Sequence, residues 1–134
     1  MKHKIVNSIP IMGCLILIFV TGCNGVSAGL SSPESVVESY IKALVAKDSV
    51  SLSTLSCADW EQSAIMEFDS LQAVEVRLDG LSCGKIGMEG DFTLVNCKGK
   101  IIATYNGENQ DIDLSSRNYK VSKQDDEFLV CGYQ

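Results

Sequence analysis

The spacing of hydrophobic positions changes once along the chain, from a helical period to a strand period. Val36, Val37, Tyr40, Ile41, Leu44 and Val45 recur on one helical face, with Glu38, Lys42 and Lys47 elsewhere on the wheel. Ser32-Pro33-Glu34 is a helix start: a hydroxyl cap, a proline at the first helical position, and an acid in the first turn. Asp48-Ser49 ends that helix, and Val50, Leu52 and Leu55 predict a further turn or two. Asp59 is expected to cap a second helix, whose Trp60, Ala64, Phe68 and Leu71 fall at offsets 0, 4, 8 and 11 as one apolar stripe. From residue 72 the period becomes two. Val74, Val76 and Leu78 alternate with Glu75, Arg77 and Asp79, as in a strand with one wet face. Gly84, Gly87 and Gly90 mark a bend and a turn, and the next strand puts Val95, Cys97, Gly99, Ile101, Ala103 and Tyr105 on one face. Asn106-Gly107 is the strongest hairpin signal, because both positions accept positive φ. Ile112 and Leu114 are expected opposite Ile101 and Gly99, and the parity slip between Leu114 and Tyr119 reads as a bulge. A polar turn over 123–127 then leads to a closing strand over 128–133. The order predicts an α+β fold, N-terminal helices packed against a curved four-stranded antiparallel meander sheet, as a single α+β domain over 33–134.

Upstream of that domain, Lys2, His3 and Lys4 precede an apolar run over residues 11–20. A membrane-spanning helix needs about 20 apolar residues, so this run is short for one. It closes on Val20-Thr21-Gly22-Cys23, which resembles a bacterial lipobox. The resemblance implies that residues 1–22 are a lipoprotein signal peptide, cut between Gly22 and Cys23. Cys23 would then carry a diacylglyceryl thioether and, in many bacteria, a further acyl chain, enough for stable anchoring. A secretory leader cut after Ala28 is the nearest rival, and Ile11-Met12-Gly13-Cys14 is set aside because most of the apolar run follows it. Residues 23–32 are expected to be the lipidated cysteine and a flexible tether, holding the domain roughly 15–18 Å from the lipid. The expected location is the cell envelope, lipid-anchored on the extracytoplasmic side of a membrane. Asn24 is not the aspartate that marks inner-membrane retention in many two-membrane bacteria.

Charge narrows the partners. Loss of Lys2 and Lys4 leaves 9 basic residues against 17 acidic ones, a net charge of −8. Phosphates would be repelled, so no nucleic-acid partner is expected, and membrane contact should come through the anchor. Cys14 lies in the leader and Cys23 in the lipobox. Cys57, Cys83, Cys97 and Cys131 remain, spaced by 26, 14 and 34, without the close pairs of a zinc site. In an oxidising compartment they read as two disulfides. A first hairpin turning about Gly90, with Met88 opposite Phe92 and Ile86 opposite Leu94, would set Cys83 against Cys97; a two-residue turn would set it against Asn96. That leaves Cys57 with Cys131, one of three possible connectivities. By chain entropy the 14-residue and 74-residue loops would contribute roughly 3 and 4.5 kcal/mol.

Helices followed by an antiparallel meander resemble the nuclear-transport-factor-two-like fold, a curved sheet wrapped round helices as a cone. The run from Ser32 to Leu44, with Asp48 after it, is similar to the first helix of such domains, and Phe128-Leu129-Val130-Cys131 to their closing strand. The chain also resembles exported lipoproteins with this fold. The resemblance implies three functions: a membrane-anchored binding or interaction module for an envelope protein or a small apolar ligand; a small isomerase or dehydratase-like enzyme using a carboxylate and a tyrosine inside the cone; or a structural accessory of an envelope complex. The single histidine, His3, belongs to the leader, which excludes a histidine-based nucleophile pair and histidine-ligated zinc from the domain. Glu75, Asp79, Asp111 and Asp113 read as solvated strand faces, and Tyr40, Tyr105, Tyr119 and Trp60 as core packing. No catalytic, metal or cofactor site is expected, and the binding module leads.

Overall fold

The computed structural model describes residues 32–134. Gly22, Cys23, the leader and residues 24–31 lie outside the described residues. Three helices come first: α1 (Pro33–Ala46), α2 (Ser49–Thr54) and α3 (Ala58–Ser70). Ser32 begins α1 as the sequence implies. Its hydroxyl accepts from the Ser35 N–H at 3.2 Å, and the Ser35 hydroxyl accepts from the Ser32 N–H at 3.1 Å. This is a capping box with serine where glutamate is usual. At the far end Lys47 is left-handed, with φ +57. Its ammonium donates to the carbonyls of Gln72 and Val74 at 3.0 and 2.8 Å, joining the end of α1 to the chain that leaves α3. Asp48 caps α2 by accepting from the Ser51 N–H.

The cap of α3 is Cys57, not Asp59. Just before α3 the chain pairs with the closing strand: the Cys57 N–H donates to the Val130 carbonyl and the Val130 N–H to that of Leu55. Helix therefore starts as soon as the chain leaves the strand. Asp59 falls within the first turn together with Glu61, where negative charge complements the helix dipole.

Five antiparallel strands follow: β1 (Glu75–Glu89), β2 (Phe92–Tyr105), β3 (Glu108–Asp113), β4 (Asn118–Gln124) and β5 (Glu127–Tyr133). Their order is β1-β2-β4-β5, with β3 also on β2. Strands β3 and β4 lie end to end along one edge of β2, covering Lys100 to Tyr105 and Thr93 to Asn96 respectively. The four strands expected are thus five, in four rows. Where a bulge was expected, a 3₁₀ turn (Leu114–Ser116) separates β3 from β4. Ile112 does face Ile101, but Leu114 leaves the ladder before reaching Gly99 and is fully buried. Its apolar side chain is better placed in the core than on the sheet edge.

The first hairpin turns differently from its expectation. Gly90-Asp91 is a two-residue turn, with Glu89 opposite Phe92 and Met88 opposite Thr93. A bulge at Ile86 then adds one residue to β1, so Gly87 faces Leu94, Lys85 faces Val95, and Cys83 faces Cys97 after all. Both expected disulfides are present, Cys83–Cys97 and Cys57–Cys131, with Cα atoms 4.0 and 4.9 Å apart.

Helix α1 buries Val36, Val37, Tyr40, Ile41 and Leu44 against Val95, Cys97, Ile101, Tyr119, Val121 and Val130. It touches β1, β2, β4 and β5 alike. Four flat rows would span about 14 Å and a helix is about 10 Å wide, so contact with both outer rows requires the sheet to curl round it. The helix also covers the free edge of β1. The Cys83 N–H donates to Glu38 at 3.1 Å, and Glu34, one turn earlier, lies near the Lys85 charge. One helical turn, about 5.4 Å, comes close to the two-residue strand repeat of about 6.8 Å, so two glutamates four apart come alongside two β1 residues two apart.

Candidate functional site

Between α3 and the sheet lies an open cleft of about 430 Å³. Trp60, Met66 and Leu71 from the α3 side, Leu44 from α1, and Ile101 and Ile112 from the sheet give it apolar walls. Glu67 and Arg117 are its charged groups. They form an ion pair, with only 14 % and 22 % of their side-chain surfaces exposed. The second Glu67 oxygen accepts from the Tyr40 hydroxyl at 3.3 Å, and that hydroxyl accepts from the Trp60 Nε1–H at 3.2 Å. Trp60, Tyr40, Glu67 and Arg117 thus form one continuous run of hydrogen bonds.

Local structure holds each of these groups. Trp60 lies flat against β5 at Gly132, whose φ is +140; a Cβ there would meet the indole at 3.5 Å. The Arg117 guanidinium stacks 4.3 Å above the Tyr133 ring, a cation–π contact. The loop carrying Arg117 is fixed by Asn96, whose side-chain amide donates to the carbonyls of Ser115 and Arg117, each at 3.0 Å. Edge-on aromatic contacts run from Tyr40 to Tyr119 to Tyr133 to Trp60, with ring centroids 6.3, 5.7 and 5.4 Å apart. Burial pushes the Tyr119 hydroxyl up to about 12 and raises Tyr40 further, with the Glu67 charge adding to the rise at Tyr40. Among the described residues no buried side-chain nitrogen or oxygen lacks a partner.

A larger groove, about 600 Å³, lies beside Cys57, Cys131 and the first hairpin turn. Asp59, Glu89, Asp91 and Lys120 line it, and Glu89 pairs with Lys120 at 2.7 Å. Its walls are too polar to hold an apolar ligand, so the smaller cleft is the better binding site.

Tyr40 and Tyr119 are core, and Trp60 packs against that core while forming one wall of the cleft. Tyr105 departs from the core expectation: it is exposed at the tip of the second hairpin. Glu75, Asp79, Asp111 and Asp113 are exposed, with Asp111 paired to Lys100 and Asp113 capping the 3₁₀ turn. Glu67 and Arg117 were not among the residues expected at a site. Glu67 did leave a signal, since it falls seven residues after Trp60, on the apolar stripe of α3. Comparison with protein-family models, curated proteins and solved structures finds no match to this chain.

Proposed function

We propose that this protein is a lipid-anchored binding module of the cell envelope, with the domain built as a nuclear-transport-factor-two-like cone. Its cleft takes a small, mainly apolar ligand or the apolar side chain of an envelope protein. The observation that carries this reading is the composition of the cleft: apolar walls converging on one internally satisfied charged pair. An isomerase-like reading has an acid beside a tyrosine in its favour. The geometry weighs against it, because each Glu67 oxygen already accepts a hydrogen bond, one from Arg117 and one from Tyr40, and a base at Glu67 would have to give up its ion pair on taking a proton. Tyr40 and Tyr119 also fill the interior that an enclosed active site would occupy.

Trp60 is the sole tryptophan and stands in the cleft wall, so its fluorescence reports occupancy directly. With the full chain in lipid nanodiscs, 1-anilinonaphthalene-8-sulfonate should produce saturable energy transfer from Trp60 above the empty-disc background. Met66→Glu places a charge on the exposed rim and should weaken binding about tenfold, equivalent to about 1.4 kcal/mol, at unchanged thermal stability. Wild-type protein with no saturable component would rule out the cleft as a ligand site.

A further inference from the structure

Two of the large apolar side chains left exposed flank the free edge of β1 on its two faces: Met88 shares a face with Thr93, whose hydroxyl donates to its sulfur at 3.4 Å, and Ile86 lies beside Gly84, Asn96 and Lys98 on the other. Ile86 and Met88 on β1 are each 56 % exposed. Between and beside them, Gly84 and Gly87 have nothing within 4 Å of where a Cβ would project, so the backbone there is open as well. This segment adjoins the first turns of α1, since the Cys83 N–H donates to Glu38 and the Lys85 charge lies near Glu34. Ser32 is nine positions after Cys23, a reach of at most about 30 Å. Among the described residues the other exposed large apolar side chains are Val50, just past the far end of α1, Met66, in the cleft wall with Leu44, and Tyr105, at the opposite tip of β2. Helix α1 alone is about 21 Å long at its 14 residues. Val95 faces Lys85, and Tyr105 is ten residues further along β2, about 33 Å.

We propose that the segment from Lys85 to Met88 is a lipid-docking edge: Ile86 and Met88 enter the membrane interface beside the anchor, and the domain stands on the bilayer by this end. The proposal rests on lipidation at Cys23. Apolar insertion drives the contact, not charge, since Lys85 lies beside Glu34, Lys120 is paired with Glu89, and Asp91 projects from the adjacent turn. The same orientation turns the cleft toward the aqueous side. Leu44 in its wall is twelve residues along α1 from Ser32, about 18 Å from the docking end.

The test uses the full chain in phosphatidylcholine vesicles with brominated acyl chains. In a Trp60→Phe background, the Ile86→Trp variant should lose most of its fluorescence and shift to the blue, whereas the Tyr105→Trp variant keeps its intensity. Adding phosphatidylglycerol should change neither. In the unsubstituted chain, amide hydrogen exchange over residues 84–89 should be slower on vesicles than in detergent, a readout independent of how the variants fold. Equal quenching at both positions, no quenching at either in vesicle-bound protein, or quenching that requires anionic lipid would overturn the docking edge. A chain that stays off the vesicles and shows no acyl mass would instead overturn the lipidation on which it rests.

Discussion

At Gly99 the backbone takes φ +99, and a Cβ there would sit 2.5 Å from the Asp79 carbonyl oxygen and 2.6 Å from the Gly80 carbonyl. Two backbones meet at this point, where β1 bulges between Asp79 and Ser82 and β3 gives way to the 3₁₀ turn. Gly99→Ala is therefore expected to cost about 3 kcal/mol or more, at the upper end of backbone-strain effects. Equilibrium denaturation should show a lower midpoint at unchanged slope; a loss below 1 kcal/mol would show that the two strands separate easily there. The sequence marks Gly99 only as one more small residue on the core face, because a positive φ leaves no trace in hydrophobic periodicity. Glu67 is a similar case. Its place on the stripe of Trp60, Ala64, Phe68 and Leu71 is legible, but its partner is not. Arg117 reaches it from 50 residues away, on a loop whose position depends on the Asn96 side chain. Long-range polar pairing of this kind has no period to read.

Elements were legible where local chemistry decides them. The cap of α1, the Asn106-Gly107 turn and the shift from helical to strand spacing all follow from neighbouring residues. Strand register is less local, since one added residue reverses every side chain. The first hairpin shows how two such effects cancel. Its two-residue turn moves the register by one and the Ile86 bulge moves it back, so the Cys83–Cys97 bond forms through a route that spacing alone did not specify. The last hairpin departs in another way: Asp125 and Asp126 both adopt positive φ, 48 and 66, in a turn without glycine. The free edge of β1 yields a prediction at this scale. Glu38→Ala should lower stability by about 1 kcal/mol, the net worth of one hydrogen bond, and should speed hydrogen exchange at the Cys83 amide. Glu38→Gln retains an acceptor and should restore most of that protection. Equal exchange in all three proteins would mean that α1 does not guard the edge.

For the molecule as a whole, the aromatic cluster under α1 makes the fold sensitive to alkali. Tyr40, Tyr119 and Tyr133 are each raised by burial, Tyr119 to about 12, against about 10 in an unfolded chain. Each folded hydroxyl thus holds its proton at pH values where the unfolded chain has released it. The contribution is fully present below about pH 10 and declines as pH rises through the folded values, because the unfolded state then binds fewer protons. Urea unfolding followed by Trp60 fluorescence should show a constant midpoint from pH 7 to about 10 and a falling one above it. Tyr119→Phe keeps the ring contacts with Tyr40 and Tyr133 and removes one titrating group, so its decline should be shallower. The disulfides are common to both proteins, so base-catalysed exchange at Cys57–Cys131 and Cys83–Cys97 cannot produce a difference between them. Matching profiles for the variant and the wild type would show that Tyr119 does not carry the alkaline weakness, leaving Tyr40, Tyr133 and the lysines, which lose their charge in the same range.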